Sequence, residues 1–359
     1  MKVLVAMSGG VDSSVAAAIV ARDGHDVTGV HMKLSSFATS SESDGRVHGC
    51  CTVEAADDAR RVAQVLDIPF YVWNLTEEFS RGVLDDFVSE YAGGRTPNPC
   101  VRCNETVKFG ALLERGRAAG FDAVATGHYA VSRFEGDTWR MYRSADHAKD
   151  QSYVLSTIGQ EALSFARFPI GAQTKDETRA LARSLKLRTA DKPDSYEICF
   201  VPDGDAAGFV ERLAEPGSIP AGEIVDADGT VLGGHGGVHR YTVGQRRGLG
   251  LGLAEKRYVV EVDATANRVI VGTGELLARG GLEAGRVTWF GEAPSGGTTA
   301  TVQIRAHGAA FPATLAAVDP DRTIVRFAQP QRGVAPGQLV AFYDGDEVLG
   351  GGTITRSLR

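Results

Sequence analysis

The chain has 359 residues, enough for two or three domains with their own cores. Hydrophobic residues make up 43% and charged residues 23%, which excludes a disordered or fibrous class and fits an ordinary globular one. A formal net charge of −7, from 38 basic and 45 acidic side chains, argues against indiscriminate nucleic-acid binding, although local patches decide phosphate contacts.

In chain order, VLVAM (3–7) reads as a short strand, followed by glycines and a helix over SSVAAAIVARDG (13–24). The opening turns polar after this one apolar run, so it is neither a signal peptide nor a membrane span. DVTGVHM (26–32) predicts a second strand, VEAADDARRVAQVLDI (53–68) a second helix and PFYVWNL (69–75) a third strand. EEFSRGVLDDFVSEYAGG (77–94) predicts a helix stopped by paired glycines, and FDAVATGH (121–128) a further strand. Such alternation is the signature of an α/β fold, a parallel sheet with helices on both faces. Ligands then bind at the carboxyl ends of the strands, where Ser8, Met32 and Gly127 fall. The serine-rich run 35–49 reads as a surface loop.

Past about residue 205 the helical runs thin out and short β-type segments recur between turns such as Asp228-Gly229 and Asp344-Gly345. The expectation is an N-terminal α/β domain over 1–204, a central β-rich domain over 205–285 and a C-terminal β-barrel over 286–359.

The stretch AMSGGVDSS (6–14) joins the first strand to the first helix. Ser8, Gly9 and Gly10 can turn successive amides inward, and the helix that follows adds its positive end; such a nest suits pyrophosphate. The lysine of a Walker loop is missing. Asp12 can hold Mg²⁺ against the pyrophosphate, and Ser13 can bond a phosphate oxygen. This stretch resembles the S-G-G-x-D-S loop of PP-loop ATP pyrophosphatases, which activate a carbonyl oxygen by adenylation.

Five cysteines, Cys50, Cys51, Cys100, Cys103 and Cys199, are too few and too irregular for a secreted disulfide scaffold, so a reducing cytoplasm is expected. Cys50 and Cys51 read as bystanders. TPNPCVRCNETVKFG (96–110), ATGHYA (125–130), KDQSYVL (149–155), DSYEICF (194–200) and YTVGQRRGLG (241–250) follow the opening loop in this order. Together they closely resemble the tRNA-specific 2-thiouridylases.

That resemblance implies an ATP-dependent sulfurtransferase that thiolates the wobble uridine, position 34, of tRNAs for lysine, glutamate and glutamine. It implies Cys103 as catalytic nucleophile and Cys199 as persulfide carrier. Ala6, Met7, Ser8, Gly9, Gly10, Val11, Asp12, Ser13, Met32 and Gly127 would lie against the nucleotide. Asn98 and Pro99 would line the target-base pocket. His128, Lys149, Asp150, Gln151, Arg246, Arg247, Arg305 and Gln338 would contact tRNA. Two departures stand out: Cys100 occupies the place of a family aspartate, and Ala306 that of an aromatic.

The chemistry asks for the same parts. Adenylation makes AMP the leaving group in place of oxide, and a persulfide on Cys199 delivers sulfur. Cys103 either frees sulfide from the persulfide or resolves the Cys199 adduct into a disulfide. Arg102 or Lys108, folded over Cys103, would raise its thiolate reactivity. Cysteine desulfurase or a sulfur-relay protein is the expected donor, and the chain is expected to act as a monomer away from membranes. An iron–sulfur cluster on Cys100, Cys103 and Cys199 stays open as the less favoured alternative. So do a nitrogen-transferring PP-loop ligase, which needs no paired thiols, and a tRNA-binding module with a vestigial loop.

Overall fold

The structure, a computed structural model, describes residues 1–34, 52–194, 198–201, 203–252, 255–320 and 322–359. Cys50, Cys51 and the serine-rich run 35–49 lie outside the described residues. Among the described residues no helix is long and apolar enough to cross a membrane.

The N-terminal part alternates as its apolar periodicity predicts: β1 (Lys2–Ala6), α1 (Val11–Arg22), β2 (Asp26–Lys33), α2 (Val53–Val65), β3 (Phe70–Asn74) and β4 (Ala123–Ala125). After a hairpin, β5 (Ala130–Glu135) and β6 (Thr138–Arg143), the short β7 (Ala166–Arg167) completes a five-stranded parallel sheet ordered β3-β2-β1-β4-β7. The order reverses beside β1, so the switch-point crevice opens at the carboxyl ends of β1 and β4. β1 is apolar on both faces, with Leu4 and Val5 fully buried, as a central parallel strand requires. One face packs on Val15, Ala16 and Ala59 from α1 and α2. The other carries Phe79, Phe87, Cys103, Val107 and Leu112.

The predicted strand 121–128 is regular only over Ala123–Ala125, because Thr126–His128 turns out toward α1. The helix expected over 77–94 runs from Thr76 to Ala92, with a π-helical turn at Ser80–Leu84. A second π-helical stretch, Cys103–Ala111, follows the one-turn helix Pro99–Arg102. Such stretches are uncommon and cluster at functional sites.

The central part forms a sheet ordered β10-β11-β8-β9 from β8 (Gly222–Asp226), β9 (Val231–His235), β10 (Tyr258–Asp263) and β11 (Arg268–Gly272). The C-terminal part comprises β12 (Ala278–Trp289), β13 (Thr298–Gln303), β14 (Phe311–Val318), β15 (Arg322–Arg332), β16 (Leu339–Asp344) and β17 (Glu347–Leu358). β12 pairs with both β15 and β17, closing a six-stranded barrel around Leu282, Val302, Leu315, Val325 and Phe342.

Two features differ from the expected partition. Helix Ala206–Leu213 buries Phe209 and Val210 in the N-terminal core although it follows residue 204, and the 285/286 boundary falls inside β12. The β5–β6 hairpin, inserted in the N-terminal part, joins the barrel instead of the parallel sheet: Tyr142 pairs with Glu347 and Met141 with Val348.

Candidate active site

The loop after β1 is shaped by close approaches only glycine allows. Gly9 has φ +78°, and a Cβ there would lie 2.2 Å from the Ala55 carbonyl oxygen. A Cβ on Gly127 would lie 2.5 Å from the Ser13 nitrogen, so the end of β4 presses directly on the start of α1. The Ser8 amide donates to Ser13 Oγ (3.2 Å), Ser14 Oγ donates to the Gly10 carbonyl (2.7 Å) and His31 Nδ1 donates to the Met7 carbonyl (2.9 Å). Gly10 is the N-cap of α1 and offers no capping side chain, which leaves first-turn amides available to an anion.

Asp12, in that first turn, is clamped. Lys175 Nζ lies 2.7 and 2.8 Å from its two carboxylate oxygens, and the Tyr129 hydroxyl donates to Oδ1 at 3.0 Å. Burial, with the Asp12 charge adding to it, pushes the Tyr129 phenol up, so it stays a donor. Lys175 also pairs with Asp194 (2.9 Å), which takes further ion pairs from Lys149 (2.8 Å) and Arg179 (2.9 Å). Burial pushes the Asp194 carboxyl up, but hydrogen bonds from Lys149 and Lys175 outweigh it and hold it at about 2. Lys192 Nζ donates to the Gly9 carbonyl and pairs with Asp58, both at 3.0 Å.

The Asp12 carboxylate, expected to hold Mg²⁺ against the pyrophosphate, has the Lys175 ammonium on both of its oxygens. The resident cation at the loop is Lys175. The sequence reading passed over it, although a signal was there: it is the first residue of helix Lys175–Ser184, inside a Thr174/Glu177 capping box, where the helix dipole disfavours a cation.

The two candidate thiols sit against one apolar cluster. Cys103 is buried in it, and Cys199 packs on it half-buried beside Phe200. The Phe200 ring lies 5.6, 5.2 and 5.2 Å from those of Phe79, Phe87 and Phe209, which anchors the chain just past Cys199. Asn98 accepts from the Cys100 and Val101 amides and so caps the turn leading to Cys103; Pro99 is buried at its first position. Cys100 faces solvent, and among the described residues no three His, Cys, Asp or Glu side chains form a metal-holding group.

Arg102 pairs with Asp86 and Glu105 and donates to Thr353 Oγ1, and Lys108 Nζ lies 3.3 Å from His128 Nε2.

The expected tRNA contacts divide by exposure. Arg246, Arg247 and Arg305 are exposed, and Arg305 donates to the Gly333 carbonyl. His128 is buried, with Nδ1 2.8 Å from Thr126 Oγ1; burial and the nearby Lys108 charge push its pKa well below the ordinary value, so it is neutral. The Asp150 carboxylate turns inward to Arg143, Ser144 and Ser152, and the Gln151 side chain accepts from the Tyr129 amide. The side chains of His128 and Asp150 are thus held by partners within the fold. A shallow crevice bordered by Asp86, Asn98, Arg102, Arg286 and Thr353 lies between the N-terminal part and the barrel.

A doubly wound parallel sheet with an S-G-G-x-D-S loop at its switch point defines the class: a PP-loop nucleotide-using enzyme. Residues 1–203 match the model of the tRNA methyl transferase HUP domain, 209–273 the tRNA methyl transferase PRC-barrel domain and 279–354 the aminomethyltransferase beta-barrel domain. The chain is 51% identical to the tRNA-specific 2-thiouridylase MnmA of Acidothermus cellulolyticus over 363 residues, covering 100% of this chain and 99% of that one. It is 52% identical to the protein of that name from Beutenbergia cavernae, covering 100% and 96%. A solved 4-thiouridine synthetase–RNA complex with bound ATP aligns with TM-score 0.38 and 16% identity over 59% of this chain and 50% of that one, too remote to add to the assignment. The chain belongs to the tRNA-specific 2-thiouridylase family.

Proposed function

We propose that this protein replaces O2 of the wobble uridine with sulfur in tRNAs for lysine, glutamate and glutamine. The observation that carries the reading is the placement of Cys103 and Cys199 on one apolar cluster, with the Cys199 segment tied through Asp194 and Lys175 to the nucleotide loop.

The uracil O2 attacks the α-phosphorus of ATP, the bond to the β-phosphate breaks, and pyrophosphate leaves with the electron pair. Mg²⁺ enters as the counter-ion of the substrate's phosphates. In one route the terminal sulfur of a Cys199 persulfide bonds to C2, AMP departs, and the Cys103 thiolate attacks Cys199 Sγ, cleaving its bond to the transferred sulfur. In the other, Cys103 attacks the persulfide first and the freed sulfide displaces AMP. Both end in 2-thiouridine, AMP, pyrophosphate and a Cys103–Cys199 disulfide, which an external thiol reduces. The target base must leave its stack to reach a buried thiol. A cysteine desulfurase or relay protein recharges Cys199; the protein acts as a monomer in the cytoplasm, on its tRNA substrate.

The test is nucleoside analysis of tRNA incubated with the protein, ATP, Mg²⁺ and sulfide or a desulfurase. 2-Thiouridine at position 34 with stoichiometric pyrophosphate supports the reading; pyrophosphate release without thiolation overturns it in favour of another PP-loop reaction.

A further inference from the structure

Breaking the α–β phosphate bond leaves extra negative charge on pyrophosphate, which preorganised cations stabilise most effectively. The loop after β1 carries no lysine of its own. The fold brings two in from 163 and 183 residues away: Lys175 on Asp12 and Lys192 on the Gly9 carbonyl.

We propose that Lys175 is the pyrophosphate-binding lysine of this enzyme, parked on Asp12 until the nucleotide arrives, with Lys192 as a second cation at the Gly9 carbonyl. The inference rests on the adenylation reading above.

Three observations carry it. Lys175 starts a ten-residue helix, a position its dipole makes unfavourable for a cation, and its side chain is only 10% exposed. A lysine kept there against both burial and the dipole needs partners, and it has two, Asp12 and Asp194. These differ in accessibility. Asp194 is 17% exposed and further held by Lys149 and Arg179, whereas Asp12 is 32% exposed and sits in the first turn of α1. Asp194 therefore anchors the ammonium from behind, and Asp12 occupies the side a phosphate would take. Moving the ammonium from Asp12 to a phosphate oxygen exchanges one charge-assisted hydrogen bond for another and transfers no proton. In the transition state Lys175 donates to the oxygens that gain charge as the phosphorus–oxygen bond breaks.

Calorimetric titration of the full-length protein with pyrophosphate and, separately, with AMP, both with excess Mg²⁺, tests this. For Lys175→Met, pyrophosphate affinity should fall about tenfold or more, the loss expected for one charge-assisted hydrogen bond, while AMP affinity stays within about twofold. Lys175→Arg should recover part of the loss. Lys175→Gln, which keeps a hydrogen-bond donor toward Asp12 and Asp194 but no charge, should show the same selective loss if Lys175→Met folds poorly. Unchanged pyrophosphate affinity in the folded variants, or equal loss of AMP and pyrophosphate, overturns the inference alone. Wild-type protein that binds neither ATP nor pyrophosphate overturns the adenylation reading and this inference together.

Discussion

The side-chain amide of Gln338 donates to the main-chain carbonyl of Thr96 at 2.9 Å, tying the barrel to the segment that leads into Cys103. The whole of the chain converges there. Thr96 also donates its amide to the Pro336 carbonyl and contacts Thr242 of the central part, and Gly94 packs close against Val262 of β10. Two residues on, Asn98 caps the cysteine turn. Gln338, expected at the tRNA, thus also ties the barrel to the segment that positions the cysteine turn.

Gln338→Ala should therefore cost about 1 kcal/mol of stability, the net worth of one hydrogen bond. It should also lower thiouridine yield without changing ATP affinity. Gly337→Ala should cost more, because Gly337 has φ +91° and a Cβ there would lie 2.8 Å from the Thr96 nitrogen. Urea denaturation beside thiolation assays checks both; a wild-type yield from a destabilised Gly337→Ala protein would refute the positioning role.

Cys103→Ser and Cys199→Ser should each abolish thiouridine formation with a cysteine desulfurase and cysteine as the persulfide-sulfur donor, whereas Cys100→Ser should retain it. One wild-type turnover without added thiol should leave a peptide cross-link between Cys103 and Cys199, read by mass spectrometry after non-reducing digestion. Loss of activity in all three variants, with iron in anaerobically purified protein, would favour the cluster.

Phe200→Ala should destabilise the protein by about 3–5 kcal/mol, as for other buried aromatics reduced to alanine. Phe200 meets three rings beside Cys199, so Phe200→Leu should keep most of the fold yet slow sulfur transfer. Single-turnover thiolation separates the two effects: an unchanged rate in Phe200→Leu would show that the ring anchors the core alone.

Asp194 gives an acid signature. Its folded pKa of about 2 lies below the ordinary 3.8. The ion pairs therefore stabilise the fold fully above about pH 4, and that stabilisation fades as pH falls through about 2. Asp194→Asn should be less stable than wild type at neutral pH, and the gap should close across this window. Denaturation curves at several acidic pH values measure it.

Arg246→Ala with Arg247→Ala should weaken binding of all three tRNAs about equally, because exposed phosphate contacts position RNA without reading sequence. The slope of log affinity against log salt should become shallower by about 1–2. Selective loss for one tRNA in filter binding would indicate base readout instead.

Much of the fold was legible because its signals are local. β1, β2 and β3 and the helices between them follow apolar runs with clear stops, and the run Ser8-Gly9-Gly10 announces a phosphate nest. What escaped reading depends on partners far along the chain. Lys175 looks like a solvated lysine in a capping box until Asp12 and Asp194 are brought to it. His128 and Asp150 read as contact residues in polar motifs, yet tertiary packing turns both side chains inward. Arg102, beside Cys103 in sequence, takes Asp86 and Glu105 as partners, a pairing that only the folded helices bring about.

The placement of β17 bears on biosynthesis. This last strand pairs with β12 and β16 to close the barrel and also pairs with β6, more than 200 residues earlier. While the ribosome is still translating, the parallel sheet can assemble, but the open β6 edge and the unclosed barrel wait for the final dozen residues. Exposed strand edges at that stage invite pairing with other nascent chains. A truncation of a few C-terminal residues should thus act less on the finished enzyme than on how many chains ever reach it, lowering soluble yield most where translation outruns chaperone capacity.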